Sequence, residues 1–441
     1  MVIHSGEHSD PYEWDQAEEE ELEAETAEAL SPVFSLAAPR TKTLIWLILL
    51  LPWFGQTFSY IRDVLPAWAF AKAFPVLSLP LAFVLMRHQR MVMSRQVLLS
   101  FGWLVLMPTF AAIFYFQQGF FTGITAQVKL LPLLSFFSFL GLLLLLKPTL
   151  KEIAYGYLAI GFATLALLVF FWLAIPDSWY AVNYVPNTNP LFSVDDRGHR
   201  IRMPWYFPAV ALFFCYRRFI RYREWRYLLG VLGAFAVAVF IVRTRGWVIG
   251  ILGVLAINSF MWARPLVKVA LLVALPVAAI GIFSVGYLAT TFNFGTDTGF
   301  DTRWITIQKA TEFLGWSPMR WLFGVGTISP TSSDSLMAYF DHFFFLADIT
   351  WLGIVFEYGI IGALLFLAFE LRGMLLYRRI SRQIDDDFLG ALCDFILYTL
   401  IISNVYPMTL VPGETAIIMA VFAYILHAGL SDHAEPVRAS P

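Results

Sequence analysis

The chain has 441 residues, of which 59% are hydrophobic and only 14% are charged. Soluble domains have about 25% charged residues, so this composition excludes a soluble fold. The formal net charge of −2 is unevenly divided, because residues 1–39 hold 11 acidic residues and no lysine or arginine, whereas the rest of the chain holds 30 basic against 21 acidic residues.

The acidic segment 1–40 predicts a disordered, solvated tail in the cytoplasm, because it has too few apolar residues for a core. It lacks the basic start and apolar stretch of a secretory signal. The segment is either an expendable solubilising tail or a regulatory or partner-binding segment. A transmembrane domain at 41–431 and a short cytoplasmic tail at 432–441 are predicted to follow.

A helix that crosses the hydrocarbon needs about 20 mainly apolar residues, because no backbone group stays unpaired there. Many runs of the sequence approach this length, which predicts an all-α, polytopic integral membrane protein of about twelve transmembrane helices. The predicted spans are 43–60, 66–86, 96–116, 130–146, 153–176, 204–216, 227–242, 247–262, 269–291, 348–371, 387–405 and 411–430.

Two arginine clusters set the orientation, since basic residues concentrate in cytoplasmic loops. They lie at 217–226 and 372–382. If both are cytoplasmic, alternation places the basic loops 87–95, 147–152 and 263–268 on the same side. Both termini are then cytoplasmic, and the two longest connections, 177–203 and 292–347, lie on the outer side.

The connection at 292–347 has 56 residues, and a loop of that length indicates a function. Within it, the stretch from Asp301 to Leu314 has helical periodicity. Trp304, Ile307, Thr311 and Leu314 share one stripe. The pattern predicts a helix that lies in the membrane interface.

Seven arginines lie in or beside the outer loops, against the usual distribution of basic residues. The planar guanidinium suits phosphate, so the cluster predicts an anionic ligand. Pairing with nearby aspartates and lipid headgroups is the alternative. The seven are Arg197, Arg200, Arg202, Arg243, Arg245, Arg303 and Arg320.

The segment from Arg243 to Gly246 lies between two predicted spans with almost no loop. At least one of its two arginines, Arg243 and Arg245, is therefore expected at the edge of the bilayer. Arg245 and Gly246 also begin the next predicted helix, whose free N–H groups and dipole attract anions. Ionisable groups at this depth are costly and usually functional.

Two side chains near the end of the long loop are candidate bases. Asp348 opens a predicted span, where it suits a helix N-cap and also stays ionised. His342 titrates near neutrality by type, but its aromatic neighbours also suit an interfacial filler. Glu357 lies nine residues below Asp348, about 13 Å along a helix, and is a candidate for polarity inside the bundle.

Three ordered segments resemble the bacterial O-antigen polymerase and ligase superfamily, which acts on undecaprenyl-pyrophosphate-linked glycans. Thr244-Arg245-Gly246 is similar to that family's (Ser/Thr)-Arg-Gly. Arg303, followed by Leu322-Phe323-Gly324-Val325-Gly326, resembles its periplasmic helix and apolar-Gly-x-Gly turn. The stretch from Asp348 to Gly359 is similar to its His-Asn-x-x-Leu-x-x-x-x-Glu-x-Gly motif.

One departure from the family pattern concerns the candidate base. Asp348 stands where ligases have histidine, and Ile349 stands where asparagine is usual. An acidic residue at this position looks more like exopolysaccharide and O-antigen polymerases than lipid A-core ligases. A direct transfer of a histidine base to this chain is therefore not justified.

The resemblance implies a GT-C-like, metal-independent glycosyltransferase of the bacterial inner membrane that faces the periplasm and needs no cofactor. Arg245, Arg303 and Arg243 would bind the pyrophosphate of the lipid donor, and Asp348 or His342 would act on the acceptor hydroxyl. The other four outer arginines would line the path of the glycan: Arg197, Arg200, Arg202 and Arg320.

The implied partners are undecaprenyl-pyrophosphate-linked repeat units and membrane lipid, with a chain-length-regulating copolymerase and a flippase as further candidates and no nucleic acid. A ligase that transfers glycan to another acceptor is one alternative function. A flippase for lipid-linked oligosaccharides is the other, although flippases are expected to have short outer loops, internal repeats and ionisable groups near mid-membrane.

Overall fold

The computed structural model describes residues 32–34, 38–61, 64–87, 91–182, 190–195, 198–262, 300–328, 336–340, 344–404, 409 and 411–428. Most of these residues are helical. The α-helices of this part are α1 Thr41–Phe54, α2 Leu65–Leu77, α3 Ser94–Phe116, α4 Phe120–Ala126, α5 Ser135–Leu146, α6 Leu150–Ala174, α7 Tyr206–Tyr222, α8 Trp225–Ala236, α9 Arg245–Trp262, α10 Phe300–Leu314, α11 Pro318–Phe323, α12 Leu336–Tyr339, α13 Thr350–Ile380, α14 Asp387–Ile402 and α15 Gly413–Ala428.

Tighter or wider turns extend several of these helices. Helix α8 continues as a π-helix over Val237–Val242. The 3₁₀ segments are Pro32–Phe34, Thr57–Tyr60, Leu79–Arg87, Gln127–Leu134, Asp177–Trp179 and Leu346–Ile349.

Six helical stretches of the described chain are long and apolar enough to cross a membrane. They are Leu65–Leu85, Ser94–Phe116, Phe120–Leu146, Leu150–Ala174, Trp225–Val242 and Thr350–Ile380. Shorter apolar helices cover Gly246–Met261 and Gly413–His427. These stretches confirm the prediction of a mainly helical protein with several candidate membrane spans, whereas the predicted count of about twelve spans stays a prediction. The predicted span 269–291 and nearly all of the acidic tail lie outside the described residues.

The predicted loop 177–203 contains a small sheet, which the search for apolar spans missed. Strands β1 Ala181–Val182, β2 Phe192–Asp195 and β3 Gly198–Ile201 pair in the order β1-β2-β3. The β1 and β2 strands are parallel, and β2 and β3 are antiparallel with Ser193 opposite Arg200. Strands of two to four residues are too short for alternation to stand out in a sequence.

The two arginine clusters meet at one end of the helical bundle. Arg217, near the end of α7, forms a two-point ion pair with Asp394 of α14, at 2.6 and 2.7 Å. Its guanidinium also lies 5.9 Å from the ring centroid of Tyr377 in α13. Arg221 Nη2 lies 2.6 Å from Asp385 Oδ2. Both clusters therefore share one side, as the orientation argument requires.

The loop at 147–152 lies at this same end. Arg40 Nη2 is 3.0 Å from Glu152 Oε2, and Thr149 and Glu152 cap the start of α6 reciprocally. The Tyr424 hydroxyl donates to the Pro148 carbonyl, and α15 reaches Tyr377 through Phe422, with ring centroids 6.2 Å apart. We name this face of the bundle the Arg217 end.

The opposite face, which we name the Arg243 end, carries the sheet, the start of α9 and the start of α13. Helix α8 leaves the Arg217 end at Trp225 and its π-helical extension stops at Val242. Helix α13 runs from Thr350 to Ile380, next to the Arg217 end.

Candidate functional site

The hairpin of β2 and β3 brings two of the predicted arginines together. The Nε atoms of Arg200 and Arg202 lie 3.3 and 3.1 Å from the same hydroxyl, Ser193 Oγ. Arg200 is 8% exposed and Ser193 is fully buried. The register explains this meeting, because Ser193 faces Arg200 across the ladder and Arg202 lies two residues further on the same face.

Arg243 lies against this hairpin. It has a left-handed backbone with φ of 55°, which ends the π-helical turn, and its N–H bonds to the carbonyl of Ala238, five residues back. A Cβ placed on Gly198 would be 2.5 Å from Arg243 Nη1, so a larger residue at 198 would displace the guanidinium. Wide turns of this kind are frequent at functional sites.

Tyr180 provides independent evidence of a charged surface here. Its ring stacks on His199, with centroids 4.4 Å apart, and His199 Nδ1 lies 3.0 Å from Asp177 Oδ1. Burial and the Asp177 carboxylate raise the pKa of the Tyr180 phenol, and the Arg243 guanidinium opposes that rise. Arg243 is therefore close enough to act electrostatically on the β1 side of the sheet.

Helix α9 begins at Arg245, and only Arg243 and Thr244 separate it from the end of the π-helical turn, so the prediction of almost no loop is confirmed. The N–H groups of Trp247 and Val248 both bond to the Thr244 carbonyl, at 3.0 and 3.3 Å. Trp247 stacks on Trp205, with centroids 5.9 Å apart, and this fixes the start of the helix. The side chain of Arg245 lies outside the described residues.

Helix α13 is broken inside the third motif. Gly359 has φ of 71° and ψ of 178°, which interrupts the helix two residues after Glu357. The Gly324–Gly326 turn fills the break, because the N–H groups of Val325 and Gly326 donate to the carbonyls of Phe356 and Glu357, at 2.8 and 3.1 Å. Non-helical backbone at membrane depth requires such partners.

Two segments singled out by sequence, 322–326 and 357–359, are therefore in direct backbone contact. Gly324 and Gly326 both have positive φ, and a Cβ on Gly324 would meet the Gly359 nitrogen at 2.5 Å. Gln118 Nε2 donates to the Thr327 carbonyl at 2.6 Å and holds the end of the turn. The glycines are explained by this close approach of two chains.

Lys129, which was not among the predicted site residues, forms an ion pair with Glu357. Lys129 lies over the ring of Tyr358, 5.4 Å from its centroid, and the Tyr358 hydroxyl donates to Gln127 Oε1 at 2.9 Å. The sequence does contain a sign of this ion pair, because Lys129 is a lone lysine in an otherwise apolar run and a charge inside the membrane requires a partner. Glu357 is thus a neutralised buried group, in agreement with the polarity role predicted for it.

We expect Lys129→Met to destabilise the protein by about 3 kcal/mol, because it leaves the Glu357 carboxylate buried without its cation. The thermal unfolding midpoint of the purified protein in detergent measures this loss. The double variant Lys129→Met with Glu357→Gln should recover most of it, and Lys151→Met, at an exposed position, should have no effect. A Lys129 variant as stable as the wild type would show that the ion pair is dispensable.

Arg303 lies on the predicted helix, which the structure shows as α10. The buried face of this helix is Thr306, Ala310 and Leu314, whereas Trp304 is 60% exposed, so the predicted stripe is only partly correct. The N–H of Phe345 donates to Thr306 Oγ1 at 3.0 Å, which joins the helix to the 3₁₀ turn Leu346–Ile349.

Asp348 lies in that 3₁₀ turn. The helix begins at Thr350 with Ile349 in the N-cap position, so the N-cap prediction for Asp348 is wrong by one residue. The 3₁₀ turn includes Asp348 and Ile349, so the α-helix begins one residue later than predicted. The side chain of Asp348, together with His342 and Arg197, lies outside the described residues.

Arg320 has a packing role. Its guanidinium lies 4.8 Å from the ring centroid of Phe313 and 5.0 Å from that of Tyr115, and it donates to the Phe313 carbonyl. These contacts join α11 to α3 and α10. The Arg320 carbonyl also accepts the N–H of Gly324 at 2.9 Å, so this packing directly precedes the Gly324–Gly326 turn.

The predicted residues form two groups. Arg200, Arg202 and Arg243 meet at the hairpin, next to the start of α9. Helix α10 with Arg303, the turn that contains Asp348, and the broken part of α13 form the other. The contacts described above lie within each group and do not join one to the other. No family model and no curated protein matches this chain.

Proposed function

We propose that this chain is a polysaccharide polymerase of the bacterial inner membrane, which transfers a growing glycan from undecaprenyl pyrophosphate to the next lipid-linked repeat unit. The observation that carries the proposal is the meeting of Arg200, Arg202 and Arg243 at the Arg243 end of the bundle. In this proposal that end faces the periplasm, the Arg217 end and both termini are cytoplasmic, and about twelve helices span the membrane.

The chemistry follows from the charge that develops on the donor. The acceptor hydroxyl oxygen attacks the anomeric carbon, and the bond to the pyrophosphate oxygen breaks with its electron pair. Undecaprenyl pyrophosphate leaves, and the hydroxyl proton passes to the base. Guanidiniums fixed at the place where negative charge develops stabilise the transition state. Arg245, Arg303 and Arg243 are assigned this role, and the hairpin arginines line the glycan path.

Contact between 322–326 and 357–359 supports the same proposal. These segments are two of the three that resemble the polymerase and ligase superfamily, and their glycines are required by their backbone contact. The break also places irregular backbone inside the helical bundle. Other membrane proteins bind substrates at discontinuous helices of this kind.

The base is assigned to Asp348, with His342 as the alternative. We expect Asp348→Asn to reduce the rate of glycan transfer by about 10²–10⁴-fold, because the amide does not accept the hydroxyl proton. His342→Ala should reduce it less than tenfold. Transfer rates of the purified variants with a lipid-linked repeat unit measure both effects, and the reverse ranking would move the base to His342.

A flippase is the second candidate, and one observation favours it. Glu370 of α13 and Glu414 of α15 are 1% and 5% exposed within apolar helices, and Glu370 Oε1 accepts a hydrogen bond from Thr415. Ionisable groups of this kind occur in transporters. A ligase is a third candidate, from the same superfamily resemblance.

The lipid-linked glycans of a deletion strain distinguish the three functions. The polymerase proposal predicts single repeat units that are capped onto the final acceptor, with no polymer. Full polymer stranded on the lipid carrier would indicate a ligase. Repeat units retained at the cytoplasmic leaflet would indicate a flippase. Plasmid-borne wild-type gene should restore the polymer, and either of the other two profiles would overturn the proposal.

A further inference from the structure

A groove of about 650 Å³ lies between α3 and α13, toward the Arg217 end. From α3 it is lined by Arg95, Leu99 and Trp103, and from α13 by Ile361, Leu365 and Arg372. Apart from Gln96 and Ser100 of α3, the walls are apolar along the helices, and the two arginines lie together at one end. Leu99 is 62% exposed, so the groove is open on its outer side.

The two arginines of the groove differ from three other arginines at the same end. Arg40, Arg217 and Arg221 are each held in ion pairs. Arg95 and Arg372 are exposed, and neither forms an ion pair or a hydrogen bond with another described residue. The groove therefore presents two positive charges that no described carboxylate neutralises.

The dimensions suit the tail of a membrane lipid. Trp103 lies eight residues from Arg95, and Ile361 lies eleven residues from Arg372, which gives a length of about 12–16 Å along the helices. Half of the hydrocarbon of a bilayer is about 15 Å thick. An acyl chain that starts at the arginines would thus follow the groove to about the middle of the membrane.

We infer that this groove binds one anionic phospholipid of the leaflet at the Arg217 end, with its phosphate between Arg95 and Arg372 and an acyl chain along Leu99, Trp103 and Leu365. Basic pockets between transmembrane helices recognise anionic headgroups in this way. The proposed polymerase donor has its pyrophosphate at the other end of the bundle, so this lipid is a separate ligand. The inference does not depend on the proposed function.

A bound lipid would act on the site through one aromatic contact. Trp103 lies against Phe323, with ring centroids 6.3 Å apart, and Phe323 immediately precedes the Gly324–Gly326 turn. A lipid that holds Trp103 in place would therefore support the turn that fills the break in α13. Occupancy of the groove should raise the thermal unfolding midpoint, as for any ligand that binds only the folded state.

Native mass spectrometry of the full-length protein in detergent tests this inference. Delipidated protein is titrated with phosphatidylglycerol or with phosphatidylcholine of the same acyl chains. We expect the first phosphatidylglycerol to bind at least tenfold more tightly than phosphatidylcholine. The double variant Arg95→Gln with Arg372→Gln should lose this preference, whereas Arg379→Gln, an exposed arginine of α13 outside the groove, should keep it.

A second pair of variants tests the tail without touching the charges. Leu99→Trp fills the groove and should also lose the preference, whereas Leu98→Trp changes an exposed neighbour outside it and should keep it. Equal affinity for the two lipids in the wild type would overturn the inference. Equal losses of the phosphatidylglycerol preference in the groove variants and in their controls would also overturn it. Displacement of the lipid by millimolar glycerol phosphate would overturn it too, because it would indicate a site for free phosphate.

Discussion

Arg245→Ala is expected to reduce glycan elongation by about 10²–10³-fold and to leave single repeat units in place of polymer, because one donor to the developing negative charge is removed. The backbone supports this choice of residue. Arg245 begins α9 two residues along the chain from Arg243, which lies against the hairpin of Arg200 and Arg202. The free N–H groups of the helix start add to the attraction of an anion at this place.

The measurement is the chain-length distribution of glycan in cells that carry each variant at equal protein levels. Arg303→Ala should have a comparable effect. Arg245→Lys should retain part of the activity, because lysine keeps the charge but lacks the planar fork. Arg379→Ala, at the Arg217 end, is the matched control and should leave the polymer unchanged. Normal polymer from the Arg245 or Arg303 variant would disprove the pyrophosphate role of that residue.

Gly359→Ala is expected to destabilise the fold by about 3 kcal/mol or more, since its backbone conformation is nearly exclusive to glycine. With φ of 71° and ψ of 178°, an added Cβ would also collide with the Leu322 carbonyl and lie 2.5 Å from the Gly324 nitrogen. The two segments would then separate, and the carbonyls of Phe356 and Glu357 would lose their donors inside the membrane. The yield of folded protein and its thermal unfolding midpoint measure this loss.

Two other glycines provide matched controls for this variant. A Cβ on Gly102 of α3 or on Gly233 of α8 would meet nothing within 4 Å. Gly102→Ala and Gly233→Ala should be neutral or slightly stabilising, because alanine favours the helix. If Gly359→Ala were as stable as these controls, the contact between the Gly324–Gly326 turn and the broken helix would not be needed for folding.

Hydropathy and charge predicted the helical membrane class, because a span needs a long apolar run whatever its partners are. The shared side of the two arginine clusters also followed from charge alone, and the contacts of Arg217 with Tyr377 and Asp394 agree with it. Helix α10 was predicted from its periodicity. These features depend on local sequence, so one sequence was enough to find them.

Features that depend on distant partners were missed. The ion pair of Lys129 with Glu357 joins residues 228 positions apart, and neither residue indicates its partner from its own surroundings. The break in α13 depends on the Gly324–Gly326 turn, more than thirty residues earlier. The hairpin that gathers Arg200 and Arg202 on Ser193 has strands too short to detect by alternation. The contacts of Arg320 with the rings of Phe313 and Tyr115 likewise join separate helices, and its place on the glycan path stays a prediction.

The central claim is that this chain by itself joins lipid-linked repeat units. Its most direct test is to incubate purified wild-type protein in detergent with undecaprenyl-pyrophosphate-linked repeat units and EDTA, and to follow the length of the lipid-linked glycan by mass spectrometry. The proposed function predicts products of two and more repeat units with release of undecaprenyl pyrophosphate, and no such products from Arg245→Ala. Folded wild-type protein that leaves the repeat units unchanged would contradict it.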